Sequence, residues 1–311
     1  MNLRDFLKKV KNLPTISAVA NEINTADKND SLTAQSLGLI ITRDPALTAT
    51  VLKLANSAYY GMAREITSLD RAVTILGFDT IKHLALTISV FHVFKTQEGQ
   101  IFDLKDLWHH SLGTGLAAKH LALHSPILSA DKSLPEQAFI CGILHDIGKI
   151  AFAQNLPGEM AEILKQTRSG TLAQHEIEKT ILGFNHQKAG QAMADVWNFP
   201  EDYQTVIRLH HSPSAAAIDG DNPKVASLVM AIYLGNKIAK ALHLGESTDP
   251  HMAQVTPEDL RSLGISKQSL PQIIHQIRDE YAQCLEAWSY DPMMHGLQAR
   301  EPEDNPSTGS G

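Results

Sequence analysis

The chain has 311 residues, of which 43% are hydrophobic and 20% charged, and a formal net charge of −7, with a pI of about 6.1. That length holds one large domain or two ordinary ones, and the acidic balance speaks against an unaided nucleic-acid surface. No apolar run approaches the roughly 20 residues that span a bilayer, and Cys141 and Cys284, neither in a C-x-x-C, are too few for a disulfide scaffold; a reducing, cytoplasmic setting is expected.

The opening "MNLRDFLKKVKNLPTI" has basic residues but no continuous apolar core, so it reads as a first helix rather than a secretory signal. "SLTAQSLGLIITRDPALTATVLKLANSAYYG" then places Leu32, Leu37, Leu39 and Ile40, followed by Leu47, Val51, Leu52 and Leu54, at helical spacings. Ser31 is the expected cap, "RDP" breaks the pattern, Pro45 opens the next helix and Gly61 punctuates its end. "SLDRAVTILGFDTIKHLALTISVFHVFK" repeats the logic, with Ser68 as cap, "LGFD" as turn and a helix to about Phe94.

Further helices are expected at about 104–124, 134–147, 157–167, 171–182, 186–196, 201–210, 222–242 and 267–288, with "SPSA" and "DGDNP" as loops. Sustained period-2 alternation of β-branched residues is missing, so almost no sheet is expected. The fold class is all-α and two-lobed: residues 1–100 as an N-terminal helical lobe, 101–290 as a second lobe. The tail 297–311, polar and rich in Pro, Gly and Ser, is expected to be disordered.

Fifteen histidines is a high count, and their placement matters more than their number. "AFICGILHDIGKIAF" sets His145 and Asp146 at the end of an apolar run, where an unpaired carboxylate is costly and calls for a metal, a partner side chain or solvent. His109 and His110 lie early in a helix, His186 follows "LGFN", and His210 and His211 end "DYQTVIRLHH". Imidazole and carboxylate suit iron, zinc, manganese or nickel, so helix ends converging on one cleft could hold one or two ions. Each residue also has a plainer reading. His145–Asp146 could be a buried hydrogen-bonded pair. His186 could simply cap its helix, and one of His210 and His211 could serve only the helix dipole. Lys149 reads as a basic residue just past a helix end. His109 reads as a surface or cap residue, and His120, His124, His175 and His243 as solvent-facing.

"WHHS" at 108–111, "HDIGK" at 145–149, the H-x-x-x-G at 186–190 and "HHSP" at 210–213 resemble the HD superfamily of metal-dependent phosphohydrolases. Together with "LPTISAVANEI", "DPALTATVLKLANSAYYG" and "ITSLDRAVTILGFDTIKHLAL", they resemble most closely its HD-related output domain branch, HDOD, over roughly residues 13 to 240. The resemblance implies a divergent HD helical core beside an N-terminal helical part. It also implies a bacterial signalling or regulatory role exercised through protein or small-ligand interaction. Carried over, the motifs select His110, His145, Asp146, His186, His210 and His211 as metal ligands, and Lys149 as a group facing phosphate. Asn236, in "YLGNKIAK", stands where the family's last metal-binding Asp would be, and "SPSAAAIDGD" follows "HH" in place of a GYP loop. A neutral amide is a weaker ligand for a hard ion than a carboxylate and cannot act as a base. The expectation is therefore a degenerate metal site without hydrolase activity, Asp146 and Lys149 being the candidates for chemistry if there is any. The alternative is a phosphohydrolase of a nucleotide or cyclic dinucleotide. Expected partners are signalling proteins, with a homodimer as an option.

Overall fold

Side-chain caps set the starts of several helices. Thr33 and Ser36 cap each other's amides ahead of α3 (Ala34–Thr42). Asp44 accepts from Ala46 and Leu47 beside Pro45 at the start of α4 (Pro45–Ala55), and Ser68 caps α5 (Leu69–Leu76). Each supplies an acceptor to amides that the first helical turn leaves without an internal partner. Ser31, expected in the first of these roles, instead donates to Ala26 O at 3.1 Å. The computed structural model describes residues 3–10, 16–56, 60, 62, 64–93, 101–170, 172–219, 222–251 and 254–289. Gly61 and the tail 297–311 lie outside them.

Among the described residues every regular element is helical, and the fold is all-α. α2 (Ala18–Lys28), α3, α4, α5 and α6 (Phe78–Val93) pack together around Ile23, Leu37, Ile41, Leu47, Val51 and Ile81. α1 (Leu3–Val10) does not join them. Phe6 is fully buried, with ring centroids 5.5 Å from Phe152 and 5.3 Å from Phe184, so the first helix packs on the second half of the chain.

That second half is built on α7 (Leu104–His124), flanked by α8 (Leu134–Leu144), α15 (Pro223–Ala241) and α17 (Leu270–Ser289). α7 and α8 cross at glycines: a Cβ on Gly142 would lie 2.4 Å from Gly115 Cα. A side chain at that position would wedge apart the two helices that carry His110 and His145.

The segment after the dyad departs from expectation. The chain turns at His145–Asp146 and starts a new helix, α9 (Ile147–Asn155). Lys149 thus lies in a first helical turn, buried at 2% exposure, not just past a helix end. α10 (Pro157–Arg168), α11 (Gln174–Leu182), α12 (His186–Val196) and α13 (Glu201–Leu209) follow. "SPSA", expected as loop, opens α14 (Pro213–Asp219), where Pro213 supplies the fixed φ of a first turn and alanines continue it. α16 (Pro257–Ser262), also unanticipated, carries a reciprocal Thr256–Asp259 cap. α11 begins later than expected, and a 3-10 turn at Lys267–Ser269 precedes α17.

The two packed regions meet through α6 and α8 and through buried polar contacts. Asn24 Nδ2 donates to Trp197 O at 2.9 Å, and Tyr203 Oη lies 2.8 Å from His83 Nε2.

Candidate functional site

Four helix ends and the face of α7 converge on Asp146. His145 closes α8 and Asp146 precedes α9; His186 is the first residue of α12; His210 closes α13 and His211 follows it. The approach of α12 to α9 is tight. A Cβ on Gly148 would lie 2.0 Å from His186 O and 2.9 Å from Gly190 N, so only glycine lets the start of α12 reach the dyad. His110, His145, His186 and His210 are 0% exposed, Asp146 1% and Lys149 2%.

The orientation of the imidazoles follows from their outer nitrogens. His145 Nδ1 donates to Gly142 O at 2.6 Å, His210 Nδ1 to Ile207 O at 2.8 Å, and His186 Nδ1 to Glu178 Oε2 at 2.6 Å. Carbonyl and carboxylate oxygens only accept, so each Nδ1 carries the proton, and in the neutral ring Nε2 is a bare lone pair. Those lone pairs point inward. His186 Nε2 lies 3.3 Å from His210 Nε2, 3.2 Å from His211 Nε2 and 3.2 Å from Asp146 Oδ1. With each ring's proton held on Nδ1, neither Nε2 has a proton to share across that gap. Neither Asp146 oxygen has a partner of good hydrogen-bond geometry, so what distinguishes them is which charged or polar groups approach. Such a constellation suits a proton or a cation.

The other carboxylate oxygen faces different company. Asp146 Oδ2 is 2.8 Å from Lys149 Nζ and 3.2 Å from His145 Nε2. His110 lies behind His145, ring centroids 5.5 Å apart, with Nε2 3.4 Å from Thr114 Oγ1 and Nδ1 unpartnered.

Electrostatics agree with the geometry. Burial alone would raise the Asp146 pKa, but His145 and Lys149 beside it outweigh burial and hold it well below the usual carboxylate range. Burial would likewise lower Lys149; Asp146 outweighs that and raises it. Burial, with His145 adjacent, holds His110 well below the ordinary imidazole value. Burial does the same to His210, next to His145 and His186, and to His211, next to His210.

Asp146, His186, His210 and His211 offer ligand atoms within 4.8 Å of one another, and so do His110, His145 and Asp146. The first set fits a divalent transition metal: three imidazole nitrogens, two with their protons held on the far side, and one carboxylate oxygen. Every histidine named from the motifs is brought to Asp146, including both members of the His210–His211 pair. Asn236 lies on α15, its Oδ1 buried without a partner. It lines a cleft of about 250 Å³ with His175, His211, Lys237, Lys240 and Asp249.

Three features escaped sequence reasoning. Glu178 is fully buried and its Oε2 accepts from both the backbone N of His186, at 2.7 Å, and its Nδ1. Gln174 donates to Glu178 Oε1 at 2.8 Å and accepts from Thr248 at 2.7 Å. The signal was a polar pair four apart on the buried face of α11. His175, expected in solvent, is half-buried and stacks on His211 at 4.4 Å. His120, also expected in solvent, is buried against Glu280 because α17 covers that face of α7. His124 is half-buried, while His243 is exposed.

The HDOD domain model matches residues 13–213, and the chain belongs to the HDOD family. A Treponema pallidum protein named "Uncharacterized protein" is 26% identical over 204 residues, covering 66% of this chain and 38% of that protein, so the chain spans well under half of this relative. Three crystal structures share the fold. A Shewanella amazonensis protein named "Putative phosphohydrolase" is 25% identical with a TM-score of 0.69, covering 91% of this chain and 97% of that one. A Geobacter sulfurreducens "HDOD domain protein with unknown function" is 24% identical with a TM-score of 0.73, covering 91% and 96%. A Marinobacter aquaeolei "Putative signal transduction protein" is 23% identical with a TM-score of 0.72, covering 95% and 62%. Among the described residues no helix is long and apolar enough to cross a membrane.

Proposed function

We propose that this chain is a bacterial, cytoplasmic regulatory domain acting through protein partners, and that its histidine cluster is a structural metal centre rather than a hydrolytic one. The observation that carries this reading is burial. Hydrolysis needs an activated water and a phosphodiester brought together, yet Asp146, His110, His145, His186 and His210 are at most 1% exposed, and the site reaches the adjoining cleft through half-buried His211. The adjoining cleft, about 250 Å³, falls below the roughly 300–1,000 Å³ of ordinary ligand pockets. Asn236 adds a chemical reason, having no charge to offer a second ion or a water.

Iron, zinc, manganese or nickel would be held by His186, His210, His211 and Asp146. Bound there, the ion supplies positive charge against two buried carboxylates, Asp146 and Glu178, that Lys149 alone does not balance. The phosphohydrolase alternative draws on the name of the Shewanella relative and on the donor set itself.

Phosphate release from nucleotides and cyclic dinucleotides, with each metal added in turn, separates the two. The expected result is no turnover above background. Metal-dependent release that Asp146→Asn abolishes would overturn the regulatory reading.

A further inference from the structure

The two helices that deliver histidines to the cluster also hold the N-terminal lobe, each at its opposite end. α12 starts with His186 and closes at Trp197, whose carbonyl accepts from Asn24 Nδ2 on α2. α13 ends at His210 and carries, in its first turn, Tyr203, bonded to His83 on α6. Asn24, His83 and Tyr203 are 2%, 3% and 5% exposed, so neither contact exchanges readily with water. At roughly 1.5 Å per residue, the cluster and the lobe contacts stand about 16 Å apart along α12 and about 10 Å apart along α13.

Slack is small at the cluster end. Gly148 lets α9 and α12 touch backbone to backbone, and a close-packed interior passes a displacement on instead of absorbing it. His210 Nε2, His211 Nε2 and Asp146 Oδ1 lie 3.2–3.3 Å from His186 Nε2, with no proton fixed between His186 and His210. Filling that gap with a cation converts mutual repulsion into attraction at the start of α12 and the end of α13 together.

We propose that occupancy of the histidine cluster is reported to the N-terminal lobe through α12 and α13, which act as two rigid links between the ligands and the Asn24–Trp197 and His83–Tyr203 contacts. The proposal rests on the metal-centre reading above and gives it an output: the surface of α2–α6 is what a partner would sense.

Hydrogen exchange of the full chain, stripped of metal and then loaded with zinc, tests it. Loading should slow exchange several-fold in α2 and α6, away from every ligand. Asn24→Ala combined with Tyr203→Phe, which removes only one amide side chain and one hydroxyl, should bind the same amount of zinc while α2 and α6 no longer respond. Zinc bound with α2 and α6 unchanged in the wild type would overturn the coupling and leave the metal centre standing. Failure to take up zinc or any of the other three metals would overturn both.

Discussion

The two oxygens of Asp146 meet opposite solutions to one problem. On the Oδ2 side the chain supplies its own cation, Lys149 at 2.8 Å. On the Oδ1 side it supplies only acceptors, with His186 Nε2 at 3.2 Å and His210 Nε2 at 3.8 Å. A buried carboxylate needs a neutralising partner on energetic grounds alone, so Lys149 requires no functional explanation. The inward imidazoles of His186 and His210 do, because burying lone pairs against one another and a carboxylate stabilises nothing by itself. The difference separates the half of the site that serves folding from the half poised for an ion.

The largest expected effect tests the first half. Lys149→Met leaves Asp146 buried without its cation and should destabilise the fold by about 3–5 kcal/mol in urea unfolding at pH 7. Adding Asp146→Asn should recover most of that loss, since neither charge is then stranded. Wild-type stability in the single variant would mean that something else neutralises Asp146.

The second half is tested through Glu178. Holding the proton on His186 Nδ1 is its contribution, and Glu178→Gln should lower zinc affinity roughly 10–100-fold in competition with a chelator. His110→Ala, acting behind the Oδ2 side, should leave affinity near wild type. Equal losses in the two variants would erase the distinction between the halves.

These contrasts show what was legible in the sequence. Apolar spacing and caps such as Asp44 with Pro45 and Ser68 announced the N-terminal helices, because those signals are local. The "HDIGK" and "HHSP" motifs pointed through resemblance to residues that the fold brings together around Asp146. Lys149 was misplaced because the turn at the dyad is set by a tertiary approach, Gly148 against His186, that leaves no local mark. Glu178 stayed hidden because a glutamate on a helix reads as solvent-facing until a distant residue claims it, and His120 was misjudged for the same reason, α17 arriving from 160 residues away.

A control for the cluster lies at the lobe contact. Burial holds His83 down to about 3, below its ordinary value near 6.5. A lowered folded pKa means that the unfolded chain binds the extra proton, so this contribution is complete above about pH 6.5 and is lost as pH falls toward 3. The slope it adds is about 1.4 kcal/mol per pH unit. His83→Leu should remove that slope between pH 6 and 4 in unfolding measurements, with or without zinc. A slope that zinc abolishes would place the titrating group in the cluster instead.

The smallest effect bears on why one half of the site is closed. Two features bear on a second ion at Asp146: Lys149 already stands at Oδ2, and Asn236 stands where the resemblance to the HD pattern calls for a carboxylate. Asn236→Asp separates them. Its side chain is buried but lines a cleft shared with Lys237 and Lys240, whose ammonium groups offset part of the cost of the added charge. Bound zinc should stay near one equivalent by elemental analysis, because the ammonium still occupies Oδ2. A rise to two equivalents would assign the closure to the missing carboxylate and reduce Lys149 to a spectator that a second ion displaces.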